Sequence, residues 1–276
     1  MTGKRLVIGL LFFSLCFNLF AQRGFRIFME ESGGELTITR TEGRIRELVI
    51  PEAVNGIPIT AIGERAFLGR GLTLVSIPDS VTEIGEGAFA YNALATVVIG
   101  DNVETIGRSA FSRNRLNSVD LGTGVQVIGM GAFSDNEITS IVIPDSVTII
   151  ESYAFFLNRL TSVTIPDSVT FIGEGAFSTN IISRVVIGDS VTEIGDGAFY
   201  NNRITAITIP ASISTLGSRV FEGRMTRISA VPPVDFLFET GELLYTTSSN
   251  FESFFAATGR RPGNYSFTRE GWVFNE

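Results

Sequence analysis

Histidine is absent from this chain of 276 residues; lysine occurs once, at Lys4, and cysteine once, at Cys16. Without histidine there is no imidazole general base. Beyond Cys16 there is also no lysine for Schiff-base chemistry and no thiolate nucleophile. A tetrahedral zinc site built from histidine and cysteine is excluded. Composition leaves open catalysis by carboxylates alone, as in a two-carboxylate glycosidase. The acids, however, recur at turn positions of a repeat, and nothing in the pattern predicts a deep cleft. Phosphate loops are missing too. Gly85-Glu-Gly87, Gly129-Met-Gly131 and Gly195-Asp-Gly197 lack the longer glycine pattern and the lysine that phosphate binding needs, so they are read as turns. No catalytic residue, metal or cofactor is expected.

Basic residues are also scarce. Lys plus Arg number 21 against 29 Asp plus Glu, a net charge of −8. Removing the first 21 residues takes away Lys4 and Arg5 and no acid, leaving 19 against 29, or −10. That balance argues against a nucleic-acid partner and against a polybasic membrane surface. The one long apolar run, Leu6 to Phe20, is interrupted by Ser14 and Asn18 and is short for a membrane span. Preceded by Lys4-Arg5 and followed by Ala21-Gln22, it reads as an export leader cleaved after Ala21. A lipid anchor on Cys16 is the alternative, opposed by the bulky Leu15 before it; an uncleaved anchor is the remaining one. Cleavage after Ala21 leaves no cysteine and hence no disulfide.

What is present is a period. Phe67, Phe89, Phe111, Phe133, Phe155, Phe177, Phe199 and Phe221 recur every 22 residues, all but the last preceded by alanine. An asparagine column follows at Asn92, Asn114, Asn136, Asn158, Asn180 and Asn202. Such self-similarity marks an array of one small unit, which cannot bury its apolar face alone and is covered by its neighbours. Within the unit, Leu-x-x-Val-x-Ile alternates as a short strand, and proline or glycine ends it. Val169, Ile172, Ala176 and Phe177 then recur at spacings that suit a 3₁₀ or extended return, because Gly173 and Gly175 disfavour a helix. The glycines at 63, 85, 107, 129, 173, 195 and 217, with Glu151 as the exception, predict either a positive φ or a close backbone approach.

The signature Ile-Pro-x-x-Val-x-x-Ile-Gly-x-x-Ala-Phe, with its asparagine column, closely resembles the BspA-type branch of the leucine-rich repeat superfamily over residues 45 to 231. The five extra residues Asn55 to Ile59 in the first unit also look like that family. Departures are glycine for proline in three units, Glu151 for glycine, and Arg70 and Arg224 for asparagine in the terminal units. The resemblance implies a curved solenoid of parallel strands, adhesion or host-protein binding as in some relatives on bacterial surfaces, and no catalytic residues. The expected fold class is therefore a β-rich solenoid: a leucine-rich repeat array of 22-residue units with parallel strands, short 3₁₀ or extended returns, and two caps. The expected organisation is a leader over 1–21, an N-terminal cap over 22–50, the solenoid over 51–231 and a C-terminal cap over 232–276. Ser249-Asn-Phe-Glu252 predicts a short helix over 251–258, and Tyr265 to Phe274 a terminal hairpin whose Trp272 is a minor candidate for a carbohydrate site.

The expected binding surface is the outward side of the strands. Thr96, Ser118, Asp120, Ser140, Ser162, Thr164 and Arg184 are the candidates on that face, with Asp120 and Arg184 as the charged exceptions in a hydroxyl-rich row. It suits a protein or glycan recognised by shape, and equally a solvated sheet with no ligand. Tyr91, Phe156 and Tyr200 are the candidate anchors of the loop after each phenylalanine, or else cover for the core edge. The asparagine column is read as a structural ladder bonding turn backbone. The aspartates at 79, 101, 145, 167 and 189 are read as turn formers in preference to calcium ligands. The function expected is an exported, non-enzymatic binding protein for an extracellular protein or glycan; the alternative is a passive envelope component with no ligand.

Overall fold

Each 22-residue unit folds into a coil with two short strands on different sides, because its apolar residues fall in two alternating runs separated by turns. The computed structural model describes residues 4–8, 25–204, 206, 207, 210, 212–222, 235, 236, 264–268 and 271–275. Among these there is no α- or 3₁₀-helix; the return segments are extended pairs followed by isolated turns closed by i→i−3 bonds, such as Ala90 N to Gly87 O at 3.1 Å. The reason lies in where the backbone bonds go. Phe89 N donates to Ala110 O at 2.7 Å and Phe111 N to Ala132 O at 2.7 Å, so these amides bond the next coil and not their own chain segment.

The chain divides into two units, residues 1–138 and 139–276. In the first, Glu47–Val49, Leu74–Ser76, Thr96–Val98 and Ser118–Asp120 form one parallel ladder. Their middle residues Leu48, Val75 and Val97 are buried. The second ladder joins Ile57–Ile62, Glu83–Ile84, Thr105–Ile106 and Val127–Ile128. The five-residue insertion makes a hairpin: Ala53–Val54 pairs antiparallel with Ile57–Ile62 across Asn55 (φ 51°) and Gly56 (φ 80°). That Asn-Gly turn has the twist a two-residue hairpin needs. At the N-terminal end, Arg26–Ser32 and Glu35–Glu42 form an antiparallel hairpin, and Glu35–Glu42 continues the second ladder by pairing parallel with Ile57–Ile62. Lys4–Ile8, within the segment read as a leader, pairs antiparallel with Arg26–Ser32.

In the second unit, Ser162–Thr164, Arg184–Val186 and Ala206–Ile207 form one parallel ladder. Ile149–Ile150, Phe171–Ile172, Glu193–Ile194 and Thr215–Leu216 form the other. Asn264–Thr268 pairs antiparallel with Gly271–Asn275 and with Asp235–Phe236. The helix expected over 251–258 lies outside the described residues.

Phenylalanine rings line the core of each unit in single file. In the first unit Phe67, Phe89, Phe111 and Phe133 stack at centroid spacings of 5.1, 5.1 and 5.3 Å. In the second, Phe155, Phe177 and Phe199 stack at 5.3 and 5.2 Å, and Phe221 follows at 5.8 Å. The spacing is close to the roughly 4.8 Å between neighbouring strands, so the register of the ladders dictates the stack.

The repeated glycine resolves into close approach. A Cβ on Gly107 would lie 2.7 Å from Ile84 O, and one on Gly195 would lie 2.5 Å from Glu174 N. Positive φ falls elsewhere, two residues before each phenylalanine and two or so after it. The first of these columns holds Arg65, Gly87, Ser109 and Gly131 in one unit and Tyr153, Gly175, Gly197 and Arg219 in the other.

Candidate functional site

The outward strand positions form two rows in the first unit. Glu47, Leu74, Thr96 and Ser118 are register neighbours in one, and Val49, Ser76, Val98 and Asp120 in the other. Leu74 lies on the face at the regular 22-residue spacing from Thr96, and the insertion, which shifts the register between the first two strands to 27 residues, brings Glu47 and Val49 onto it. Those residues escaped the 22-residue reading. They change the chemistry of the face, because Val49, Leu74 and Val98 are 46%, 44% and 53% exposed. Asp120 is exposed and its Oδ1 accepts from Gly122 N at 3.2 Å.

In the second unit Ser162 lies beside Arg184, and Thr164 beside Val186. Ser140 and Val142 are exposed, Val142 to 82%, but neither belongs to a strand. The aspartates cap the following coil: Asp79 Oδ1 accepts from Asp101 N, and Asp167 Oδ1 from Asp189 N, each at 2.9 Å. Among the described residues no group of three or more acidic, His or Cys side chains is placed to hold a metal ion.

The asparagine amides point inward. Asn92 Nδ2 donates to Phe67 O at 2.8 Å, and Asn136 Nδ2 to Phe111 O at 3.0 Å. Asn180 and Asn202 do the same toward Phe155 O and Phe177 O, each at 3.0 Å, and Asn158 Nδ2 donates to Phe155 O at 3.2 Å. These amides are spent on backbone and face no solvent ligand.

The aromatic loop residues differ among themselves. Tyr91 is 56% exposed and carries the Arg113 guanidinium 5.0 Å from its ring centroid; Arg113 in turn pairs with Asp135 at 3.6 Å. Phe156 is half-buried, edge-on to Tyr153 at 5.8 Å. Tyr200 is half-buried beneath Arg219, 4.7 Å from its ring centroid.

These last residues border a groove of about 320 Å³ that the sequence reading missed. Tyr153 stands at one end, Tyr200 and Arg219 at the other, with Gly175, Gly197 and the buried Ser178 between them. The positive-φ column reads Tyr-Gly-Gly-Arg across this unit: the Tyr153 ring packs over Gly175, where a Cβ would lie 2.5 Å from it, and the space left over Gly197 lies between Tyr153 and Arg219. Tyr153 adopts φ 59°, a conformation that costs a bulky residue on the order of 1 kcal/mol. Its hydroxyl donates to the Glu174 carboxylate, and this bond, with burial adding, holds the phenol above the usual tyrosine value. Asp196 Oδ1 accepts from Ser218 N at 2.7 Å.

A model of BspA type leucine rich repeat regions matches residues 42–158 and 148–233, in six copies. The crystal structure of a T. pallidum leucine rich repeat protein is 29% identical, covering 58% of this chain and 77% of that one, with a TM-score of 0.52. A leucine rich cell surface protein of Faecalibacterium prausnitzii is 27% identical over 71% of this chain and 72% of that one, with a TM-score of 0.44. A leucine-rich repeat protein of Eubacterium ventriosum is 24% identical over 71% and 67%, with a TM-score of 0.41. A search of curated proteins returns no match.

Proposed function

The chain belongs to the BspA-type leucine-rich repeat family, and from that premise we propose that it is an exported, non-enzymatic protein that holds another macromolecule against its strand face. One observation carries this reading. Val49, Leu74 and Val98 stay exposed on a ladder whose alternate residues Leu48, Val75 and Val97 are buried, so the core does not account for them. These aliphatic side chains alternate with Glu47, Ser76, Thr96 and Asp120 along the two rows, and such a mixed apolar and polar surface suits contact with another protein. Export is supported by the Lys4-Arg5 and Leu6–Phe20 leader pattern. Cleavage after Ala21 also removes Lys4–Ile8 from its pairing with Arg26–Ser32.

Two measurements test the reading. Cell fractionation with sequencing of the processed N-terminus should find the protein outside the cytoplasm, beginning at Gln22. Capture from extracellular proteins and glycans should enrich a partner that is lost with Leu74→Glu/Val98→Glu while the circular dichroism spectrum is kept. A cytoplasmic protein with an intact N-terminus, or capture no better than background, overturns it.

A further inference from the structure

We propose that the groove between Tyr153 and Tyr200 receives an arginine side chain from a basic partner protein. The proposal rests on the reading that the protein meets another macromolecule, and it adds a second contact of defined chemistry. The first unit contains the internal template. There Glu64 and Glu86 occupy equivalent positions of successive coils, and Arg65 spans them, 3.2 Å from Glu64 and 3.8 Å from Glu86. The backbone beneath this bridge is tied by Arg65 N donating to Glu86 O at 2.8 Å.

In the second unit Glu174 and Asp196 take the same two positions, and the backbone is tied the same way: Gly175 N donates to Asp196 O at 2.9 Å. Where the first unit has Arg65, this unit has Gly175. The carboxylate pair is kept; the Tyr153 ring packs directly over Gly175, where a Cβ would lie 2.5 Å from it, and the open volume lies over Gly197, as Arg65 lies over Gly87 in the first unit. Among the described residues neither Glu174 nor Asp196 forms an ion pair; their partners are the neutral Tyr153 hydroxyl and Ser218 N. Arg219 at the far wall is committed to Glu222 at 2.6 Å.

The walls suit the same ligand. A guanidinium is planar, weakly hydrated and stacks on aromatic rings, whereas its five donors match carboxylates. Among the described residues that pairing already occurs three times, with Arg40 on Phe28, Arg113 on Tyr91 and Arg219 on Tyr200. A neutral sugar would leave two adjacent carboxylates unneutralised, and Arg219 already covers one face of Tyr200. The net charge of −8 further favours approach by a basic partner.

The test is binding of a fluorescent oligoarginine peptide to the full-length protein by anisotropy. Glu174→Gln/Asp196→Asn, which keeps the acceptors of the Tyr153 and Ser218 bonds, should weaken binding about tenfold or more. Asp167→Asn/Asp189→Asn removes the same charge elsewhere in the unit and should leave it within about twofold. On unmodified protein the peptide should slow hydrogen exchange at residues 174–178 and 196–200, and its citrulline counterpart should not. Equal losses in the two double variants, no protection at those segments, or displacement of the peptide by neutral oligosaccharide would overturn the proposal. A strand-face partner that is captured normally while the groove shows no peptide binding defeats this proposal alone.

Discussion

Asn114 Nδ2 donates to the carbonyl oxygen of Phe89, 3.0 Å away in the preceding coil, and at the same time to Phe111 O at 3.0 Å in its own. Its Oδ1 accepts from Leu94 N at 3.1 Å. One buried amide thereby serves three backbone groups that no ladder reaches. Asn114→Ala leaves Leu94 N without a partner, at about 1–3 kcal/mol, and takes one of two donors from each carbonyl, since Phe89 O also accepts from Asn92 Nδ2 at 2.9 Å and Phe111 O from Asn136 Nδ2 at 3.0 Å. We expect a loss of about 3 kcal/mol in urea unfolding. Asn114→Asp should cost at least as much at neutral pH, since it turns a donor into an acceptor facing two carbonyls.

Two glycines in adjacent coils should respond differently to the same substitution. Gly107→Ala drives a methyl to 2.7 Å from Ile84 O, a backbone atom of the ladder. Gly87 has φ 59° and its nearest neighbour, Arg65 Cγ, is a flexible side chain 3.4 Å away. Thermal unfolding should show a loss of about 3 kcal/mol for Gly107→Ala, where overpacking meets rigid backbone, and about 1 kcal/mol for Gly87→Ala, the strain of a left-handed alanine.

The phenylalanine file should be cooperative. Phe111→Ala opens a cavity between Phe89 and Phe133 and is expected to cost about 3–5 kcal/mol. Phe111→Leu retains most of the volume and should cost about 1–2 kcal/mol. In a double-mutant cycle, Phe89→Leu and Phe111→Leu should couple by about 0.5–1.5 kcal/mol, the worth of a ring pair beyond its burial.

Of the five tyrosines, Tyr153 should ionise late in an ultraviolet titration of the folded protein, because Glu174 accepts its proton's hydrogen bond. Its folded value lies above the unfolded one. Its contribution to stability is therefore complete below about pH 10 and is lost as pH rises through the folded value. The urea midpoint should fall across that window in the unmodified protein, and less so in Tyr153→Phe. Glu174→Gln should return the late transition toward the ordinary range.

The repeating unit and its buried positions were legible in the chain because they are strictly periodic; the insertion was legible only as five extra residues, and its hairpin came from the structure. The glycine column was legible only in part. Composition allowed Gly107 a positive φ or a close approach, and the φ turned out to belong to Gly87, Ser109 and their column-mates. The strand face was legible as alternation at Thr96 and Ser118. Glu47 and Val49 joined it only through the register shift that the insertion causes.

From the sequence alone came the coil length, the single file of phenylalanines and the identity of the family, since each coil must bury its apolar side on a neighbour of like pattern. The tertiary structure alone decided which residues of different coils become neighbours. Glu174 and Asp196 are 22 residues apart in the chain, yet the hydrogen bond from Gly175 N to Asp196 O sets them one strand spacing apart. Whether such a pair is bridged, as by Arg65, or left beside an open groove turns on the residue that follows the first acid, and its meaning appears only once the coils are in register.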